Sequence, residues 1–156
     1  MPPRRRAAAA TKEAPAAKKQ KSDADRLEVP VIGGSVVILG HGLLTKIPAE
    51  IIAKDSGIKA SRYVIISDKT VFGLYGQKLV DAFAAAGHTA LAFQVEPGEG
   101  SKSRVNKAAI EDFMLAHKCQ RDTCMLALGG GVIGDLTGYV ASTFMRGCPV
   151  VQIPTR

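Results

Sequence analysis

The stretch TCMLALGGGVIGD, residues Thr123–Asp135, decides the fold. Thr123 to Leu128 is a continuous apolar run of strand length, and it ends in glycine, as a strand buried on both faces does. Gly129, Gly131 and Gly134 then satisfy G-x-G-x-x-G, and a helix from about Val132 to Phe144 is expected to open from them. Glycines permit positive φ and a close approach of other groups to the backbone, and the free N–H groups of a first helical turn stabilise anionic oxygens. Strand, glycine turn and helix in that order admit two readings, a phosphate-cradling dinucleotide turn and a purely structural tight turn.

Outward from this stretch the chain alternates short apolar runs with longer amphipathic ones, which is the α/β pattern. Arg62 to Ser67 is a β-branched run ending at Asp68, where a carboxylate would project from the strand's C-terminal edge. Leu74, Leu79, Ala82 and Phe83 make the next helical face, with Gly87 as its C-terminal cap. Leu91 to Val95 is a third strand, followed by the loop Glu96–Lys102. Ser103 caps a helix whose Val105, Ala109, Ile110, Phe113 and Met114 share a face, and Val150 to Ile153 closes the series as a strand. Upstream, Val29 to Ile32 and Val36 to Leu39 read as strands joined across Gly33-Gly34. Leu43, Ile47, Ile51 and Ile52 then recur at helical spacing.

The chain has 156 residues, 46% of them apolar, which is ordinary globular composition for one domain. The formal charge of +7 is unevenly spread: Met1–Arg26 holds eight Lys/Arg against three Asp/Glu, leaving thirteen against eleven for the rest. Residues 1–28, rich in Ala, Lys, Arg and Pro, read as a disordered basic tail, and residues 29–156 as the domain. Arg4, Arg5, Arg6, Lys18, Lys19 and Lys21 suit a solvated extension, an import or transit signal, or a nucleic-acid arm. Aromatic residues are 5% of the chain and Trp is absent, so base stacking gains no support and a nucleic-acid partner is not expected. No apolar run reaches the roughly 18 to 20 residues of a membrane span. Cys119, Cys124 and Cys148 lack C-x-x-C spacing, which points to free thiols in a reducing compartment, with Cys124 a small core residue.

The ordinary dinucleotide fingerprint adds an acidic residue about 20 positions after the glycines to hold a ribose, but Cys148–Arg156 has none. Asp68, on an earlier strand end, can take that part. Glu99 and Lys102 form a second polar cluster at a strand's C-terminal edge, able to meet a ribose hydroxyl and a phosphate, or simply to decorate a capped helix start. Asp135 is favoured in a first helical turn by the helix dipole, or is a ligand contact. Arg146 fits a helix C-terminus as a cation, or an anion contact. His41, His88 and His117 have no metal-ligand spacing, so no metal site is assigned.

PGEGSKS (Pro97–Ser103), IEDFML (Ile110–Leu115), RDT (Arg121–Thr123) and ALGGGVIGDLTGYVASTFMRG (Ala127–Gly147) occur in this order, and together they resemble 3-dehydroquinate synthase. The likeness runs from about Val29 to Thr155 and is strongest to the first domain of the fungal-type pentafunctional shikimate-pathway polypeptide. GGGVIGD alone is shared with other sugar phosphate cyclases and, loosely, with glycerol-dehydrogenase-like enzymes.

The resemblance implies a Rossmann-like open parallel sheet, bound NAD, a divalent metal (usually zinc) and a seven-carbon phosphorylated keto acid as substrate. It implies that the complete enzyme is a cytoplasmic homodimeric lyase forming 3-dehydroquinate and phosphate. By matching position, Asp68 and Thr70 are similar to adenosine-ribose contacts, and Glu99 and Lys102 to further nucleotide contacts. Gly130, Gly131, Val132 and Asp135 are similar to pyrophosphate and ribose contacts, Thr155 to the first of a threonine pair, and Arg146 to an arginine on a neighbouring subunit's substrate phosphate. Arg156 stands in place of the second threonine, and the family's metal ligands have no counterparts. The expectation is therefore an N-terminal fragment with its sheet incomplete at the C-terminus, inactive alone. The alternatives are a non-catalytic module binding NAD or a sugar phosphate, and another sugar phosphate cyclase.

Overall fold

The computed structural model describes residues 26–31, 33–53 and 56–155, so most of the basic tail and Arg156 lie outside the described residues. Two units are present, divided between His41 and Gly42. The first is a hairpin of β1 (Leu27–Pro30) and β2 (Val36–Leu39), paired antiparallel with Leu27 opposite Leu39 and Pro30 opposite Val36. β1 thus begins two residues before the expected domain boundary and ends before the expected Ile32. Proline closes the strand, because it donates nothing to a ladder. Gly33 and Gly34 both adopt positive φ in a wider loop that Val31 N–H to Ser35 C=O helps close at 2.8 Å.

The second unit opens with a short 3-10 turn (Leu43–Thr45) and α1 (Ile47–Ile52). It continues through β3 (Arg62–Asp68), α2 (Lys69–Val71), a π-helical turn (Phe72–Gly76), α3 (Gln77–Ala85) and β4 (Ala90–Val95). α4 (Arg104–Ala116), β5 (Thr123–Gly129), α5 (Gly131–Thr143) and β6 (Val150–Pro154) complete it. The four strands form one parallel sheet in the order β4-β3-β5-β6. The chain therefore winds from β3 to one side, then crosses back to build outward on the other.

Strand alternation sorts the core onto two faces. Val64 and Ile66 of β3 with Met125 and Ala127 of β5 pack against α4 and α5 through Ile110, Met114, Ile133, Leu136 and Val140. Tyr63 and Ile65 with Cys124, Leu126 and Leu128 pack on the opposite face against Ile51, Leu79 and Phe83. β5 is buried along its whole length, and β3 from Tyr63 to Ser67. This is the α/β architecture that the strand pattern predicts, with the Rossmann-like open parallel sheet that the resemblance implies. Cys124 sits in its core with no exposed surface.

Two helical faces depart from expectation. Leu74 is 60% exposed, because the π-helical turn changes the angular step per residue just before α3 and rotates Leu74 away from Leu79 and Phe83. Val105 is 77% exposed, since it stands in the first turn of α4, ahead of the stretch where Ile110 and Met114 meet the sheet. Gly87 does end α3: it has φ +80, and its N–H bonds to Ala84 C=O while that of His88 reaches Phe83 C=O, a Schellman ending. Ser103 caps α4, its Oγ accepting from Asn106 N–H at 3.2 Å.

Cys119, Cys124 and Cys148 are all free thiols. Burial pushes the Cys124 thiol up to about 12 and that of Cys148 to about 11, against an ordinary value of about 8.5. A raised native value means that the fold favours the neutral thiol. The stability so held is complete below the ordinary thiol range and drains away as pH climbs through it toward the native values. The urea midpoint should stay level from pH 7 to about 8.5 and fall steadily above it, with a shallower fall in Cys124→Ala. A midpoint that is level far into the alkaline range would contradict this.

Candidate functional site

In a sheet wound both ways, ligands bind beyond the carboxyl ends of the strands, where successive connections leave in opposite directions. Here that point lies between β3 and β5, with Asp68 ending one strand and Gly129 the other. The two ends are tied by Ser67, fully buried, whose Oγ donates to Leu128 C=O at 2.7 Å. The glycine turn follows the third strand of this sheet instead of the first. A carboxylate, Asp68, thus stands upstream on β3, while the segment downstream of the glycines has none.

The turn itself has no positive φ at Gly129, Gly130, Gly131 or Gly134, contrary to expectation. Close approach is what demands glycine there. A Cβ on Gly129 would stand 2.8 Å from Ile133 Cγ1, and one on Gly134 would stand 2.8 Å from Gln152 Oε1. Gly131 is different, with nothing within 4 Å of its Cβ position, so its backbone faces open space. Gly130 caps α5 without a side chain to offer, and Gly134 N–H returns to Gly130 C=O at 3.0 Å. The N–H groups of Gly131, Val132 and Ile133 have no intrahelical acceptor and sit at the positive end of a 13-residue helix.

A cleft of about 230 Å³ opens over this turn, lined by Gly129, Gly130, Gly131, Gly134 and Asp135 on one side and by Gln152 and Pro154 of β6 on the other. Thr155 follows Pro154, its N–H on Gly129 C=O at 3.1 Å and its buried Oγ1 without a hydrogen-bond partner among the described residues. An open backbone, free first-turn donors and an orphaned hydroxyl suit a pyrophosphate-bearing group. Gln152 was not foreseen, since one glutamine within an apolar run carries no spacing signal.

Asp135, the fifth residue of α5, lies past the first turn, where the dipole argument placed it. A side-chain partner sets its place instead. Lys102 Nζ bonds Asp135 Oδ2 at 2.8 Å and Glu99 Oε1 at 3.0 Å, so three expected nucleotide contacts meet in one cluster. Hydrogen bonding to Asp135 first, and to Glu99 second, holds the Lys102 ammonium above its ordinary range, so it stays charged throughout neutral pH. The loop bearing Glu99 and Lys102 is anchored by Ser101, whose buried hydroxyl donates to Glu96 C=O and whose own C=O accepts from Asn106 Nδ2 at 3.0 Å.

Asp68 and Thr70 remain at the end of β3. Asp68 Oδ1 accepts from Val71 N–H at 2.8 Å and caps α2, leaving its other oxygen available, and Thr70 is exposed. Lys69 pairs with Glu96 across the ends of β3 and β4. Arg146 lies past the other end of α5, about 20 Å from the turn at 1.5 Å per residue. It sits in a left-handed turn in which Met145, Arg146 and Gly147 have φ of 48, 68 and 102°. The structure therefore does not bring it to the cleft. Among the described residues no group of three His, Cys, Asp or Glu side chains could hold a metal ion, and no helix is long and apolar enough to cross a membrane.

Residues 92–156 match the profile of the family described as 3-dehydroquinate synthase N-terminal. The chain is 44% identical over 133 residues to the pentafunctional AROM polypeptide of Candida glabrata, an overlap of 83% of this chain and 8% of that polypeptide. With its counterpart from Yarrowia lipolytica the identity is 47% over 135 residues, again 8% of the relative. The chain thus spans about a twelfth of the length of the curated relatives it matches. Among solved structures, 2-deoxy-scyllo-inosose synthase complexed with carbaglucose-6-phosphate, NAD+ and Co2+ aligns with a TM-score of 0.70 at 20% identity, covering 83% of this chain and 34% of that one. The 2-epi-5-epi-valiolone synthase of Streptomyces hygroscopicus with NAD+ and Zn2+ bound aligns at 0.58 and 31% identity, covering 70% and 30%.

The two kinds of glycine in the turn separate by stability. Gly129→Ala drives a methyl into buried Ile133 and should cost about 1–3 kcal/mol in a urea titration, the usual overpacking penalty. Gly131→Ala meets no neighbour and should leave the midpoint unchanged or slightly raised. Equal losses in both variants would contradict the packing described.

Proposed function

We propose that the α/β unit, whose residues 92–156 match the family described as 3-dehydroquinate synthase N-terminal, is the NAD-binding part of that enzyme. The whole protein then converts 3-deoxy-D-arabino-heptulosonate 7-phosphate to 3-dehydroquinate and phosphate, a step of aromatic amino acid biosynthesis. The observation that carries this reading is the open glycine turn at the switch edge of the sheet, with Asp135 in the lining of its cleft and paired to Lys102.

Each residue has a part that its position supports. First-turn N–H groups of Gly131 and Val132, with Gly130 leaving the approach free of side chains, receive the pyrophosphate. Asp68 keeps one carboxylate oxygen on the α2 cap and presents the other to the adenosine ribose, beside the Thr70 hydroxyl. Glu99 and Asp135 accept from nucleotide hydroxyls, while Lys102 balances their charge and adds a cation near the turn. Thr155 turns its orphaned hydroxyl to the nucleotide. Bound NAD supplies reversible hydride acceptance at one substrate alcohol, and the chain supplies geometry and electrostatics for it.

In this reading Arg146, in its left-handed turn away from the cleft, meets a substrate phosphate of a neighbouring subunit, and the working enzyme is a homodimer. A catalytic zinc takes about three protein ligands. The described residues do not fit one, and no step is assigned to a metal. Three free thiols agree with a cytoplasmic site of action.

Titration calorimetry with NAD+ tests the reading. Binding is expected, weakened about tenfold by Asp68→Asn, which retains the cap acceptor but loses the charge that receives a ribose hydroxyl. No heat at millimolar NAD+ would refute the proposal.

A further inference from the structure

Gln152 has no assigned part in the reading above, yet it is the side chain of β6 that meets the glycine turn. Its Nε2 donates to Gly134 C=O at 3.2 Å. Its amide lies across α5 where two glycines stand one turn apart: a Cβ on Gly134 would be 2.8 Å from Gln152 Oε1, and one on Gly138 would be 3.8 Å from Nε2. Only a helix face without side chains admits the amide this closely. Gly134 in turn bonds through its N–H to Gly130 C=O at 3.0 Å, so the residue that Gln152 grips closes the first turn of α5. On the strand side, Gln152 stands in register with Ala127 of the fully buried β5, so its backbone is fixed by the most rigid part of the sheet.

We propose that Gln152 is the positioning residue of the pyrophosphate turn: its amide fixes the first turn of α5 against β6, and so holds the N–H groups of Gly131, Val132 and Ile133 in the direction from which a diphosphate is bound. This rests on the reading of the cleft as a dinucleotide site. It gives the third glycine of the motif a reason in side-chain packing, since its φ is ordinary. A methyl there would evict the amide, and the turn would keep its donors but lose the brace that aims them. Preformed donors gain affinity because their ordering cost is met before the ligand arrives.

Calorimetry with NAD+ on the 156-residue chain, with ligand-free urea titrations alongside, tests the assignment. Gln152→Met keeps the side chain's length and removes the hydrogen bond, and NAD+ affinity should fall about five- to tenfold. Gly134→Ala leaves Gln152 in the sequence but displaces its amide, while raising intrinsic helix propensity. It should lose the same affinity without losing stability, which a damaged fold would not do. The double variant should be no weaker than either single one, because both remove one brace. Undiminished NAD+ binding in both single variants would overturn the assignment while the dinucleotide reading stands. Absence of binding in the parent chain would overturn both.

Discussion

The N-terminal turn of α5 leaves three backbone N–H groups without a helical acceptor at the edge of the most buried strand, and the surrounding structure is arranged around that exposed set of donors. β5 fixes where the turn begins, since every residue from Thr123 to Gly129 is buried between two layers of helices. Ile133 stands against Gly129 and Gln152 against Gly134, while Gly131 faces open space. A backbone so confined cannot collapse to satisfy its own donors. Its donors stay open to solvent or to a ligand, and the helix dipole favours an anion there.

Charge near the turn is arranged with equal economy. Lys102 is the only side chain linking the loop after β4 to α5 through two carboxylates among the described ion pairs, and its ammonium is held in the charged state by them. The cluster places acceptors for hydroxyls and a cation for phosphate within one set of contacts, at a sheet edge reached by neither Arg146 nor the thiols. Arg146 stands a helix length away, past the opposite end of α5.

Much of this was legible from residue order. Apolar runs located β3, β4, β5 and β6 within a residue or two, because buried parallel strands are continuous apolar segments with little alternative. The glycine turn, Asp68 at a strand end and the Ser103 cap followed from local chemistry. Three things did not. The π-helical turn before α3, which turns Leu74 outward, has no marker in a pattern read at helical period. Val105 fits that period but lies ahead of the sheet contact. Gln152 is recognised only from across the α5–β6 interface, where Gly134 and Gly138 make room for it. Of the two reasons for glycine read from the sequence, positive φ and close approach, the turn shows only the second, at Gly129 against Ile133 and at Gly134 against Gln152.

The most direct test of this account is an amide NMR titration of the chain with NAD+, following the backbone N–H resonances of Gly131, Val132 and Ile133. The account predicts that these three move together and to the largest extent, with Asp135 and Gln152 following. Binding that leaves them in place while shifting resonances elsewhere would contradict it.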